Sequence, residues 1–233
     1  MAYEKRFDGR KFEELRPIKV KVGVVPKANG SAMFQIGNTI AVAAVYGPKE
    51  LYPAFLQDPT KGVLRCEYNM FSFSGSGDRV RPGGNRRSKE ISLVTEKALL
   101  PVLDLSGYSG AVIDVDIELI QTDAGTRCAG ITAASLALAE AGIPMKDIIT
   151  SVSVGKVEDK LIVDLTYEED SYPEGVDMPV AMSTRTGEVT LLQMDGKLTK
   201  EEVKKLLDMA RKACSEIKEK QIEALKERFT GSK

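Results

Sequence analysis

The clearest pattern of apolar and polar positions lies in residues 112–144. Its first part alternates between aliphatic and acidic side chains, which is the period-two pattern of a strand with one buried face. An alanine-rich helical segment follows and ends at Gly142, with Thr122 and Asp123 as the expected N-cap residues. Small side chains let such a helix approach a sheet closely. The sequence therefore predicts a strand that leads through a tight turn into a closely packed helix.

Shorter patterns of both kinds fill the rest of the chain. A capping box at Thr199 and Glu202 predicts a long amphipathic C-terminal helix over about residues 199–229. Asn29-Gly30 is a hairpin signal, and we expect a helix from its cap Ser88 to about Leu103. The remaining periodic segments predict strands at 18–25, 32–36, 38–46, 63–73, 152–157, 161–165, 178–183 and 189–194.

The order of these elements indicates the fold class. A strand-rich first part precedes helices and strands that do not alternate regularly, which favours an α+β fold of mixed sheets packed with helices. No linker and no strong internal repeat interrupts the 233 residues. We therefore predict a single domain over residues 1–233.

Composition narrows the possible chemistry. The chain has 33 basic and 34 acidic residues, so any polyanion must be held by a local patch. It has no histidine, which excludes Ser-His-Asp and Cys-His catalysis. Cys66, Cys128 and Cys214 form no C-x-x-C pair, which argues against a disulfide framework or a zinc site. No apolar run is long enough for a membrane span and no signal peptide is evident, so we expect a cytoplasmic protein without membrane contact.

The start of the alanine-rich helix has the chemistry of an anion site. The first turn of a helix has N–H groups without backbone partners, and the helix dipole makes that end positive. Gly125 allows an oxyanion close to the backbone, Thr126 adds a hydroxyl and Arg127 adds a forked cation. An ordinary capped helix with a surface arginine is the alternative, and this segment alone does not decide between them.

A second candidate site is the basic, glycine-containing stretch at residues 79–89, which could follow the phosphate backbone of a nucleic acid. It contains no acidic residue, and its cations are Arg79, Arg81, Arg86, Arg87 and Lys89. Three aromatic residues just upstream, Tyr68, Phe71 and Phe73, could stack on bases. For Phe71 and Phe73 we favour burial in the core, because apolar aromatic side chains are mostly buried.

A third candidate is an acidic segment. Asp170 and Asp177 flank a loop that could fold back and bring both carboxylates near one point, as a magnesium ion beside phosphates requires. We expect Glu168 and Glu169 to be surface acids, and an acidic loop without function is the alternative for the segment. Together with the helix start and the arginines, the carboxylates favour phosphoryl transfer, which depends mainly on positioning and charge neutralisation.

Several short motifs occur together over nearly the whole chain. They are Arg6-Phe-Asp-Gly-Arg10, Glu14-Leu-Arg-Pro17, Arg86-Arg87, Gln121-Thr-Asp-Ala-Gly-Thr-Arg127, Ala133–Ala139, Ala141-Gly-Ile-Pro144, and Glu168-Glu-Asp170 followed by Asp177-Met-Pro179. With this set the chain resembles the RNase PH family, and within it the catalytic subunits of archaeal exosomes. The resemblance implies the RNase PH-like fold, which is also described as ribosomal protein S5 domain 2-like.

The resemblance also implies a reaction and its residues. Inorganic phosphate would attack RNA from the 3′ end and release nucleoside diphosphates, and the reverse reaction would add a tail to RNA. Asp170 corresponds to the catalytic acid, and Asp177 assists it in binding Mg²⁺ or Mn²⁺, although these two acids are seven residues apart here and usually six in relatives. The implied phosphate ligands are Gly125, Thr126, Arg127, Cys128 (where many relatives have serine or another residue) and Arg87. The candidate RNA contacts are Arg86, Arg87, Arg65, Lys61, Tyr68, Arg79 and Arg81, of which Arg65 and Lys61 resemble a loop that narrows the pore.

Members of the family form six-membered rings. The resemblance implies single-stranded RNA as substrate, three copies of this chain alternating with three of an inactive relative, and cap subunits with S1- or KH-type RNA-binding domains. Two alternatives stay open. One is a homohexameric RNase PH that trims transfer RNA 3′ ends, and the other is a ring subunit that binds RNA without catalysis.

Overall fold

The computed structural model describes residues 3–76 and 84–231. In this part of the chain nine strands and four α-helices are formed. The strands are β1 (Ile18–Val22), β2 (Gly30–Ile36), β3 (Thr39–Glu50), β4 (Val63–Met70), β5 (Ala111–Gln121), β6 (Ile149–Val157), β7 (Lys160–Val163), β8 (Val176–Ser183) and β9 (Val189–Leu192). The helices are α1 (Arg86–Leu99), α2 (Thr126–Glu140), α3 (Tyr167–Asp170) and α4 (Lys200–Thr230).

The strands form two sheets. The first has the order β1-β2-β3-β5-β4, and only its β4–β5 pair is parallel. The second is antiparallel, with the order β7-β6-β8-β9. Helix α1 packs along the edge strand β4, where the Ser92 hydroxyl accepts the backbone N–H of Tyr68 at 2.8 Å. That contact occupies part of an edge that would otherwise be open to pairing with another strand.

Helix α2 lies between the two sheets. It contacts β2, β3 and β5 on one side and β6 and β8 on the other, and all but its last residues and Arg127 are buried. Its alanines permit this close packing on both sides. Gly30 shows how tight the fit is, because a Cβ atom there would lie 2.3 Å from the backbone nitrogen of Ala141. A buried helix of this kind holds its first turn at a fixed position relative to both sheets.

One apolar core spans both sheets and α1, α2 and α4. Helix α4 covers β1 and the second sheet with a stripe of buried residues that includes Leu206, Ala210 and Ile217. A smaller cluster forms around Tyr3, Ile162 and Leu165 and ties the N-terminal segment to β7. Among the described residues, no helix has the length and apolar character needed to cross a membrane.

The structure confirms the predicted α+β fold of mixed sheets and helices. Each predicted strand is present, the alternating segment is β5, and the alanine-rich segment is α2. The capping box at Thr199 and Glu202 forms as predicted and starts α4. The assignment of the whole chain to one domain stays a prediction.

Several local predictions were wrong. Asn29-Gly30 is not a two-residue turn, because the connection between β1 and β2 spans residues 23–29 and Gly30 already belongs to β2. The N-cap of α1 is Asn85, whose side chain accepts the N–H of Ser88 at 2.7 Å, and the helix ends at Leu99 before a 3₁₀ turn.

The surface aromatic residues were also misjudged. Phe71 and Phe73 are not core residues: they are 38% and 67% exposed, and their rings stack on each other with centroids 5.1 Å apart. They follow the end of β4, which is an edge strand of the first sheet. Apolar character alone therefore predicted their burial wrongly.

Candidate active site

A cleft of about 280 Å³ opens beside the N-terminus of α2. Elements of both sheets contribute to it, together with the first turns of α1 and α2 and the short helix α3. Its lining consists of Met70, Arg87, Thr122, Ala124, Gly125, Thr126, Arg127, Cys128, Ser153, Tyr167, Asp170, Asp177 and Pro179. The structure therefore brings together the helix start, one arginine of the basic stretch and both acids of the acidic segment.

The turn before α2 exposes the positive end of the helix. Ala124 and Gly125 both have left-handed backbone angles, with φ of 51° and 61°. Gly125 is the N-cap and no side chain caps the helix, so the expected capping by Thr122 and Asp123 was wrong. Asp123 instead accepts the backbone N–H of Tyr167 at 3.0 Å. The N–H groups of the first turn are therefore not used by a side-chain cap and face the cleft.

Arg127 is fixed at the edge of the cleft by neighbours that sequence reasoning did not identify. Its Nη1 donates to the Gln193 side-chain oxygen and lies 3.6 Å from a carboxylate oxygen of Glu90. Gln193 in turn donates to Glu90 at 3.0 Å. These partners come from the end of β9 and from α1, far from Arg127 in sequence, so no local pattern signals them. They limit the conformations of the guanidinium before any ligand binds.

The two arginines of α1 differ in position. Both are exposed, but only Arg87 lines the cleft. Both lie in the first turn of the helix. The charge of Arg87 acts on Asp170 and lowers its pKa, against the larger effect of burial.

The two acids come from different elements. Asp170 is the last residue of α3, and Asp177 lies near the start of β8. The pKa of Asp177 is raised to about 6, mainly by burial and also by the charge of Asp170, while a hydrogen bond from the Ser153 hydroxyl acts to lower it. Burial likewise raises the pKa of Asp170, while Arg87 and Arg127 lower it. Asp170 is thus close enough to Asp177 to raise its pKa.

Glu169, next to Asp170, is not the surface acid that we expected. Its side chain is fully buried and accepts hydrogen bonds from the Tyr3 hydroxyl at 2.6 Å, from Arg6 at 2.8 and 2.7 Å, and from the Thr166 N–H at 2.9 Å. Burial acts to raise the pKa of Glu169, but these hydrogen bonds and the charge of Arg6 lower it overall. This buried pair attaches α3, and with it Asp170, to the N-terminal segment.

Some predicted RNA contacts lie elsewhere. Arg65 pairs with Asp114 at 2.7 Å near the opposite end of β5, and Lys61 is exposed in the loop before β4. Tyr68 is 3% exposed, so its ring cannot stack on a base as expected, because it packs beside Gly130 of α2. Arg79 and Arg81 lie outside the described residues.

The donor set in the cleft is compatible with a hard cation. Asp170 and Asp177 offer carboxylate oxygens on one wall, and magnesium is commonly held by one or two carboxylates together with water and substrate phosphates. Within residues 3–76 and 84–231 no cluster of three or more histidine, cysteine or acidic side chains is arranged for a metal. The residues therefore fit a cation that shares its coordination with a bound phosphate.

A cleft with a free helix start, arginines and paired carboxylates is suited to phosphate esters. Residues 14–144 match domain 1 of the 3′ exoribonuclease family, RNase PH, and residues 147–213 match domain 2. The chain therefore belongs to the RNase PH family of 3′ exoribonucleases, as the sequence motifs predicted.

Individual relatives agree with this assignment. The chain is 52% identical over 225 residues to the exosome complex component Rrp41 of Pyrococcus furiosus, covering 97% of this chain and 89% of that protein. It is 48% identical over 226 residues to Rrp41 of Methanopyrus kandleri, covering 97% and 94%.

Solved structures share the fold. A chain of the Archaeoglobus fulgidus exosome with RNA bound to the active site matches with a TM-score of 0.76 and 27% identity, covering 93% of this chain and 92% of that one. Rice Rrp46 matches with a TM-score of 0.81 and 23% identity, covering 93% and 98%, and supports the fold alone.

Proposed function

We propose that this chain is the catalytic subunit of an archaeal exosome, a phosphate-dependent 3′-to-5′ exoribonuclease that releases nucleoside diphosphates. The observation that carries the proposal is the single cleft in which the start of α2, Arg87 and Arg127 face Asp170 and Asp177. The full-length similarity to Rrp41 proteins supports the assembly and the substrate class.

The phosphate-binding half of the cleft accounts for the choice of nucleophile. Attack of phosphate on a phosphodiester brings two anions together, and an uncapped helix start with two arginines offsets that repulsion. The backbone N–H groups of Thr126, Arg127 and Cys128 are the expected donors, with Gly125 allowing close approach. A phosphate held in this way has a high effective concentration relative to the scissile bond, which favours phosphorolysis over attack by water.

The acidic half of the cleft serves the leaving group. Asp170 would act as general acid toward the departing 3′-oxygen, and its raised pKa supports that role. Asp170 and Asp177 would hold the divalent cation, Mg²⁺ or Mn²⁺. When bound, the cation neutralises charge on the phosphate oxygens. Ser153 orients Asp177 by donating a hydrogen bond to its carboxylate.

The similarity to exosome components supports a proposal for the assembly in which this chain acts. We propose single-stranded RNA as substrate, a hexameric ring of three copies with three inactive RNase PH-like companions, cap subunits with S1- or KH-type domains, and a cytoplasmic location. Arg86, exposed beside the cleft, and Arg65 and Lys61 at the other end of the sheet are the described candidates for contacts with RNA outside the cleft.

The decisive experiment is a decay assay on the ring assembled with its companion subunit. We expect a labelled RNA to lose nucleotides from its 3′ end only when inorganic phosphate is present, with nucleoside diphosphates as products. Nucleoside diphosphates without phosphate should extend the RNA. Decay without phosphate that yields monophosphates would overturn the proposal. Full activity and hexamer formation without the companion would favour the homohexameric RNase PH instead.

A further inference from the structure

The Glu14-Leu-Arg-Pro17 motif has no part in the proposed chemistry, yet its arginine is almost completely buried. Arg16 is 5% exposed, and its guanidinium contacts the loop that leads into the cleft. A guanidinium without ligands would be costly to bury, so the acceptors that surround Arg16 indicate its role.

One group of acceptors belongs to the turn between β7 and α3. Arg16 donates from Nε to Asp164 at 2.9 Å and from Nη2 to the other carboxylate oxygen at 2.7 Å, and its backbone N–H donates to Asp164 at 2.8 Å. Asp164 is itself buried and has a left-handed φ of 56°, which is unusual for a residue with a side chain. This bidentate contact fixes the turn that leads into the helix bearing Asp170.

The other acceptors belong to the loop before α2. Nη1 of Arg16 donates to the backbone oxygen of Asp123 and lies 3.5 Å from its carboxylate. A Cβ atom on Gly125 would lie 3.6 Å from Nη2 of Arg16, so the guanidinium supports the loop at the N-cap itself. One side chain therefore contacts the segment that leads to the phosphate-binding helix and the segment that leads to the acid.

A second buried residue holds the same loop from the first sheet. Thr39 is fully buried, and its hydroxyl lies 2.9 Å from the backbone oxygen of Asp123 and 2.8 Å from that of Ala124. It also accepts the N–H of Asp123 at 3.0 Å. The left-handed pair Ala124 and Gly125 is thus fixed by partners on both sides.

We propose that Arg16 is a positioning residue that sets the spacing between the phosphate-binding helix start and the Asp170 carboxylate. The inference rests on the proposed function, because it assigns a role in binding the phosphate of that reaction. It predicts that loss of the Arg16 guanidinium weakens phosphate binding before it weakens RNA binding, since Nη1 of Arg16 contacts the loop that leads to Gly125.

The chain offers a matched control in Arg6. Arg6 is 2% exposed and also makes a bidentate pair with a buried carboxylate, that of Glu169. Its other bonds go to backbone oxygens of Lys11, Glu14, Val163 and Asp164, so within the described part of the chain its hydrogen bonds do not reach the loop before α2. Arg6→Lys therefore removes a comparable buried fork without touching the phosphate loop.

The test uses the assembled ring and compares Arg16→Lys with Arg6→Lys. Both variants should lower the melting temperature. Only Arg16→Lys should raise the KM for phosphate, by about ten- to hundredfold, because a displacement of about 1 Å can cost this much, while the KM for RNA stays within about twofold. Equal KM values for phosphate in the two variants would overturn the inference.

Thr39→Val is the second variant, because it keeps the shape of a buried side chain and removes no charge. Like Arg16→Lys, it should raise the KM for phosphate. If the Arg16→Lys variant does not assemble into rings, Thr39→Val alone tests whether the supports of this loop affect phosphate binding. An unchanged KM for phosphate in Thr39→Val would then reject the role of the loop supports. Wild-type rings whose RNA decay ignores phosphate would overturn the proposed function, and this inference with it.

Discussion

The two ends of β5 bear similar arginine–aspartate pairs in different surroundings. Beyond its C-terminal end, Arg16 and Asp164 are buried and hold the loops of the cleft. At its N-terminal end, Asp114 pairs with Arg65 at 2.7 Å and with Lys49 at 2.7 Å, and both cationic side chains are half exposed. The first pair has few alternative partners, while the second competes with water. The same residue types therefore build a rigid site at one end and a solvated surface at the other.

Asp170→Asn should have the largest effect on catalysis in the cleft. The amide can still accept a hydrogen bond but cannot give up a proton or bind a cation well, so turnover should fall about 10²- to 10⁴-fold with RNA affinity retained. Single-turnover decay and RNA binding by the ring measure the two quantities. Glu168→Gln is the control, because Glu168 is an exposed acid on the same helix. Wild-type turnover in Asp170→Asn would remove this residue from the mechanism.

Arg6→Ala and Arg65→Ala compare the buried and exposed pairs directly. Removing Arg6 leaves the Glu169 charge buried without its main partner, which should cost about 3–5 kcal/mol of unfolding free energy. Removing Arg65 should cost about 0–1 kcal/mol, since half of that side chain is in water. Urea unfolding of both variants provides the measurement. Similar losses of unfolding free energy in the two variants would contradict the expected difference between a buried and an exposed ion pair.

Arg127→Ala should produce a smaller and more specific effect at the cleft. We expect the KM for phosphate to rise about 10- to 100-fold, because a charge-assisted contact is worth about 1.5–3 kcal/mol. Initial rates at varied phosphate concentration will show this. Arg211→Ala removes an exposed arginine of α4 and serves as the charge control. A change in the KM for RNA alone would place Arg127 outside the phosphate site.

The smallest expected effect concerns pH. Folding raises the pKa of Asp177 to about 6. Protonation of Asp177 therefore stabilises the folded state most at pH values below its pKa in the unfolded chain, and this stabilisation is lost as the pH rises through about 6. If the ionised form supports turnover, the acidic limb of the rate profile falls near pH 6. Ser153→Ala removes a hydrogen bond that lowers this pKa, so the limb should move to higher pH. Ser109→Ala, at an exposed site, should leave the limb in place.

Sequence reasoning succeeded where the signal is local. Alternation located β5, because burial of one face follows from a period of two, and the alanine-rich composition with its glycine stop located α2. The acids Asp170 and Asp177 were paired correctly in space because only a short loop separates them. The motif that resembles the family supplied the roles, which remain predictions for each residue.

The misses have a common physical origin in long-range contacts. Glu169 was predicted to be a surface acid, because its partner Arg6 lies far away in the sequence, in the N-terminal segment. The hydrogen bond from Arg127 to Gln193 was not predicted, because Gln193 follows a strand of the second sheet and is distant in sequence. Tyr68 was predicted to stack on a base, but its ring packs against Gly130 of α2. No window of neighbouring residues contains these partners.

The burial of α2 affects how phosphate binding should respond to ionic strength. Mobile ions screen a helix dipole at a protein surface, but two sheets cover the flanks of α2, so that only its two ends approach solvent. Orthophosphate at the first turn of α2 should therefore lose little affinity between low and physiological salt. RNA held by exposed arginines loses affinity steeply over the same range, as counterion release requires. Added salt thus separates the binding of the two substrates.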